Sequence, residues 1–123
     1  MPLALDPSQT FPIWLDSDAD KKPRPEFHFR ALTIRDRQRV RESTEQIKTN
    51  ESITADEIET QSVDLFLDFC SGWSNMIGRE GEPIKFSRDN VKAVLINQEL
   101  WELIHQAVLN SHVNHEEKKS SES

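Results

Sequence analysis

The segment from Ile53 to Trp73 constrains the fold of this chain more than any other. Thr54 is followed three residues on by Glu57, the spacing of a capping box, and Ile53 and Ile58 stand where a hydrophobic staple needs them. The helix that starts there is predicted to run to about Ser71 and to stop near Gly72. Ile58, Ser62, Leu65, Phe66, Phe69, Cys70 and Trp73 share one side at helical spacing, and Val63 and Leu67 widen that side past a half turn. Only Glu57, Gln61, Asp64 and Asp68 are left as a narrow polar face. A helix with so wide an apolar face cannot lie on a surface. It must stand at the centre of the fold, or a partner must cover it.

The rest of the chain offers cover. Leu100, Leu103, Ile104, Ala107, Val108 and Ser111 follow the i, i+3, i+4, i+7, i+8 template, so a final helix is predicted from Asn97 or Gln98. Ser87 starts a shorter helix, with Phe86 and Val91 as a second staple and Asp89 in the first turn. Thr33, with Asp36 at N3, caps a helix through about Lys48. Its apolar stripe is thin (Ile34, Val40, Ile47), which places it on the surface. Upstream, Phe11 to Leu15 and Phe27 to Ala31 read as two strands around a polar loop, Asp16 to Pro25, which makes a β-hairpin. The expected fold is α+β and mostly helical, an N-terminal β-hairpin followed by about four helices.

The chain has 123 residues, which fits one domain. We expect residues 1–10 to form an N-terminal extension, 11–112 a single domain, and 113–123 a disordered tail. The tail, Glu116-Glu117-Lys118-Lys119-Ser120-Ser121-Glu122-Ser123, carries no apolar residue to anchor it. The formal charge is −7, with +1 on residues 1–50 and −8 on the remainder. That balance speaks against nucleic-acid binding, which rests on neutralising phosphates. The N-terminus lacks the basic and apolar regions of a signal peptide, and no apolar run approaches a membrane span. The one cysteine, Cys70, cannot form an internal disulfide and is expected to be buried as a small hydrophobe.

Motifs that carry chemistry fail on inspection. Asp16-Ser17-Asp18-Ala19-Asp20 opens like a calcium-binding EF-hand loop, but the required Gly and Glu are replaced by Lys21 and Phe27, so a solvated acidic loop is expected. His105 and His112 stand seven apart on one helix face with His115 beyond, yet no thiolate or carboxylate set completes a zinc site, so no metal is expected. His28 reads as a polar-face strand residue. There is no nucleophile elbow and no phosphate-cradling glycine loop. Gly78 and Gly81 suit a turn or short hairpin. We expect no enzyme, no catalytic residue and no cofactor.

Two groups are candidates for partner binding. Arg35, Arg37, Arg39 and Arg41 form one basic cluster, which a helix splits into the pairs Arg35/Arg39 and Arg37/Arg41. Trp14, Trp73 and Trp101 are anchors of a core or an interface, with core use expected for at least two.

Trp73-Ser74-Asn75, a short gap, then Gly81-Glu82-Pro83-Ile84-Lys85-Phe86-Ser87-Arg88-Asp89-Asn90 and an apolar helix resemble the tail assembly chaperones of long-tailed bacteriophages. That family combines a Trp-x-Asn element, a Gly-x-Pro turn and a Phe-Ser/Thr helix start, after a short β element and before further helices. The specific part covers about 18 residues within 11–112. The motif also has a plain structural account as turn, staple and cap.

The resemblance implies a non-enzymatic protein of virion morphogenesis, made late and working in the host cytoplasm. It would coat the long helical tape measure protein and keep it soluble until tail tube subunits assemble around it. It would be absent from the mature virion. In several phages of this family a longer form arises by frameshifting near the end of the short one, and Lys118-Lys119 lies where such a shift would fall. Expected partners are the tape measure protein, the tail tube protein and a second copy of the chain, with neither nucleic acid nor membrane. The expected contacts are Phe66, Phe69, Trp73 and Trp101, together with Arg35, Arg37, Arg39 and Arg41. The alternative is a small adaptor or regulatory module that binds another protein through Arg35 to Arg41.

Overall fold

The computed structural model describes residues 10–122, with side chains described for 10–111. Three strands and four helices follow one another as β1 (Thr10–Ile13), β2 (Glu26–Arg30), α1 (Ile34–Thr49), α2 (Ala55–Phe69), β3 (Cys70–Ser74), α3 (Arg88–Val94) and α4 (Asn97–Glu122), with a single 3-10 turn at Asp16–Asp18. The fold is α+β, as expected. The extension lies outside the described residues up to position 9, and the side chains of the tail lie outside them too.

The predicted hairpin forms. β1 and β2 pair antiparallel, with Phe11 opposite Phe29 and Ile13 opposite Phe27. Period-2 alternation turns Phe27 and Phe29 inward, both fully buried, while Glu26, His28 and Arg30 face outward. Pro12 is tolerated because β1 is an edge of the sheet, whose order is β1-β2-β3.

The third strand corrects the expected end of the central helix. α2 stops at Phe69, two residues early, and the chain turns directly into β3 alongside β2. Cys70 and Trp73 do share a side, but in a strand. Cys70 opposes Phe29 and Gly72 opposes His28, so Ser71 is an extra residue in a β-bulge. In a regular strand, residues three apart point to opposite faces; the bulge puts both on the inner face. A helical spacing was thus produced by a bulged strand, and the two periods cannot be told apart over four residues.

The inner face of the sheet supplies one cover for α2 and α4 the other. Phe66 is 0% exposed, its ring edge-on to Phe27 at 6.1 Å and to Phe29 at 5.6 Å between centroids. Leu100, Leu103, Ile104 and Ala107 close the other side, all fully buried. Ser62, the one polar residue on α2's apolar side, is satisfied. Its Oγ donates to the Ile58 carbonyl at 2.7 Å and accepts from Trp101 Nε1 at 2.7 Å. Ser111 does the same at the far end of α4's packed face, accepting from Leu32 N at 2.9 Å.

α1 is fastened by charge more than by apolar burial. Its capping box is complete: Thr33 Oγ1 accepts from Asp36 N, and Asp36 Oδ2 accepts from Thr33 N. Asp36 is also gripped by Arg30, whose guanidinium reaches both carboxylate oxygens at 2.6 and 3.3 Å. Burial works against the charged form of Asp36, but hydrogen bonds from Arg30 and Thr33 outweigh it and hold the carboxyl below its ordinary value. Arg30 donates onward to the Asp68 carbonyl at 3.1 Å, at the end of α2. Arg39 pairs with Asp68, and both guanidinium groups lie over the Phe69 ring. Beyond this knot only Val40 of α1 is a buried apolar residue, which bears out a surface position.

Candidate interaction surface

The eight residues expected to contact a partner fall into four environments. Phe66 and Phe69 are 0% and 1% exposed and belong to the core. This corrects their assignment as a contact surface: the groove expected along α2 is filled by the protein's own sheet and α4.

Trp73 is half-buried and organises the 73–90 element. Its indole N–H donates to the Ile84 carbonyl at 2.7 Å, and its ring meets Phe86 edge-on at 5.1 Å. Asn75, at φ 60, reverses the chain after β3 and donates to the Arg24 carbonyl at 2.9 Å. A tight hairpin follows. Ile77 bridges Pro83, Gly78 N bonds the Glu82 carbonyl, and Gly81 takes φ 85, a conformation that glycine adopts without strain. Ser87 Oγ then accepts from Asn90 N to start α3, and Asn90 Nδ2 donates to the Lys85 carbonyl at 2.8 Å. Trp73, Ser87 and Asn90 spend their side-chain hydrogen bonds inside this element, while Ser74, Asn75 and Arg88 tie it to His28, Arg24 and Asp64. The motif therefore marks a piece of architecture.

The arginines do not form one ridge. Arg39 is committed to Asp36 and Asp68, Arg37 is half-buried, and Arg35 and Arg41 are exposed. Trp101 is the expected apolar contact that borders an open cleft. Its indole N–H is held by Ser62, but its ring borders a small apolar cleft of about 170 Å³ between α1 and α4, lined by Thr44, Ile47, Lys48, Trp101 and His105. His105 lies beside the Trp101 ring, 5.7 Å between centroids. One turn beyond His105 on α4 come Val108, half-buried, and Leu109, 63% exposed.

Sequence reasoning did not single out two features. His28 Nε2 lies 2.5 Å from Ser74 Oγ, across two strands and seen only once the register is known. The pair sits on the flat outer face of the sheet beside Gly72, and it serves as a cross-strand link. A cavity of about 400 Å³ lies where the loop after β1, the residues following β3 and the α3–α4 corner meet, with Asp18, Lys21 and Glu99 on its wall. Asp18 is paired with Lys21 at 2.6 Å, and Glu99 accepts from Ile96 N as a helix-start bond. Cys70 is buried, and burial pushes its thiol up to about 12, so it is inert as a nucleophile. Among the described residues no three His, Cys, Asp or Glu side chains converge as a metal site requires, and no helix is long and apolar enough to cross a membrane. Set against family models, curated proteins and solved structures, the chain has no significant match.

Proposed function

We propose that this chain is a tail assembly chaperone of a long-tailed bacteriophage, which binds the tape measure protein and keeps it soluble in the host cytoplasm until tail tube subunits enclose it. The observation that carries the reading is the 73–90 element. The residues of the family motif form one interlocked unit of indole clamp, reversed turn and capped helix, set after a short β element and before further helices. The motif's order within the fold supports the resemblance, and the role is taken from the family that the motif resembles.

The client surface in this reading is the α1–α4 cleft with Trp101 as its anchor. An extended helical client presents an apolar side chain every one to two turns, and a half-open indole beside Ile47 receives one of them. The −7 charge keeps a decorated client soluble. The test is co-expression of a tape measure protein from the same genome, with and without this chain, with the soluble fraction measured. A client that is soluble only with the chain supports the reading. An equally insoluble client in both cases overturns it and favours the adaptor alternative, for which the exposed Arg35 and Arg41 are the contacts.

A further inference from the structure

We propose that two copies of this chain pair through antiparallel α4 helices, with Leu109 of each copy seated in the Trp101 cleft of the other. Leu109 is 63% exposed, on a helix whose inner face is already fully packed. The outer face carries Trp101, His105 and Leu109 at i, i+4 and i+8, so His105, at the edge of the cleft, lies midway between the Trp101 indole and an exposed apolar side chain. In an antiparallel pair related by a two-fold axis at His105, the position four residues after it faces the position four residues before it on the other copy. Leu109 then meets the cleft beside Trp101 twice, once in each direction, which is the self-complementarity that a two-fold interface demands.

Charge and size both favour a second copy on this strip. A chain of net charge −7 repels itself, so two copies can meet only where carboxylates are scarce. The cleft residues carry one cation, Lys48, and no carboxylate. Glu102, at the edge, is occupied by Asp16 N and Gln106 Nε2. A contact from Gln98 to Leu109 is about 18 Å of helix. A contact this short, even with the flanking turn of α1, belongs with the small interfaces, so the dimer should form only at micromolar or higher concentration. Because this strip also serves the client in the function proposed above, a client helix has to displace the partner copy.

Sedimentation of the purified chain alone, across a concentration series, tests the pairing without the client, so its failure is distinguishable from failure of the chaperone reading. The expected result is a monomer–dimer equilibrium that Leu109→Glu weakens at least tenfold while leaving the thermal midpoint of the dilute monomer unchanged. Mild oxidation should cross-link His105→Cys into a disulfide dimer and leave Gln98→Cys monomeric, since position 98 lies about 21 Å from its own copy in the antiparallel arrangement. A strict monomer at millimolar concentration, a dimer that Leu109→Glu leaves intact, or equal cross-linking at both positions would overturn the proposal.

Discussion

The two sides of α4 are built on opposite terms. On the inner side, Leu100, Leu103, Ile104 and Ala107 are buried against α2, and the one polar neighbour, Ser62, has both of its hydrogen bonds. On the outer side, Trp101 and His105 line a small cleft, half-buried and exposed respectively, and Leu109, one turn on, stands 63% in solvent. The same helix is thus finished on one face and unfinished on the other. A domain with its core already closed does not need the outer apolar strip for stability, and that leaves the strip free for recognition. Changes on the inner face should therefore act on folding, and changes on the outer face on association.

The largest effect is expected on the closed side. Phe66→Ala empties a site between Phe27, Phe29 and α4, and should cost about 4 kcal/mol by chemical denaturation. A loss below about 1 kcal/mol would mean that α2 is not central and that its apolar side is open after all. Next in size is Asp36. Asp36→Asn removes the charge that Arg30 grips and should cost about 2 kcal/mol. Its pH dependence has a definite sign. The folded carboxyl is held low, so its contribution is complete above the ordinary carboxylate range and is lost as pH falls through the lowered folded value. Thermal melts from neutral to acid pH should show a steeper acid decline for the wild type than for the variant. Parallel declines would remove the Arg30–Asp36 link as a source of stability.

Much of the closed side was legible before any coordinates. Thr33, Thr54 and Ser87 all cap helices as their spacings require, and the hairpin strands fall within two residues of their predicted positions. Local chemistry suffices there, because a cap or an alternating strand is decided by its nearest neighbours in sequence. β3 was not legible for the converse reason. Cys70 to Ser74 is a strand because β2 lies beside it, and its bulge copies helical spacing. The open side was half legible. Trp101 was marked as an anchor by its type, but whether an apolar residue faces a neighbour or solvent depends on packing. Phe66, Phe69 and Trp101 all look alike as candidates in sequence, and only the layering of the sheet, α2 and α4 separates them.

Two smaller effects probe the boundary between the sides. Ser87→Ala deletes the cap of α3 and should cost about 1 kcal/mol. Trp101→Phe keeps a ring at the cleft but strips the hydrogen bond to Ser62, again for about 1 kcal/mol. The pair differ in what else they move. Ser87→Ala should leave association untouched, whereas Trp101→Phe should weaken it, because the indole borders the cleft from inside. Equal association for both variants would break the division between a folding face and a recognition face.

The smallest effect on stability should come from Arg41→Glu, and it is the one that separates the two readings of function. Arg41 is exposed, and none of the ion pairs among the described residues includes it, so reversing its charge should shift stability by no more than about 0.5 kcal/mol. If recognition runs through the apolar strip, capture of the client by this variant should match wild type and persist at moderate salt, since apolar burial is little screened. If recognition runs through the arginine cluster, the same substitution should abolish capture, and wild-type affinity should fall steeply as salt rises. The measurement is calorimetric titration of a soluble helical peptide cut from the client at two ionic strengths, with Leu109→Glu as the reciprocal control. Loss of binding in Arg41→Glu with retention in Leu109→Glu would move the recognition face from α4 to α1 and replace the chaperone reading with the adaptor.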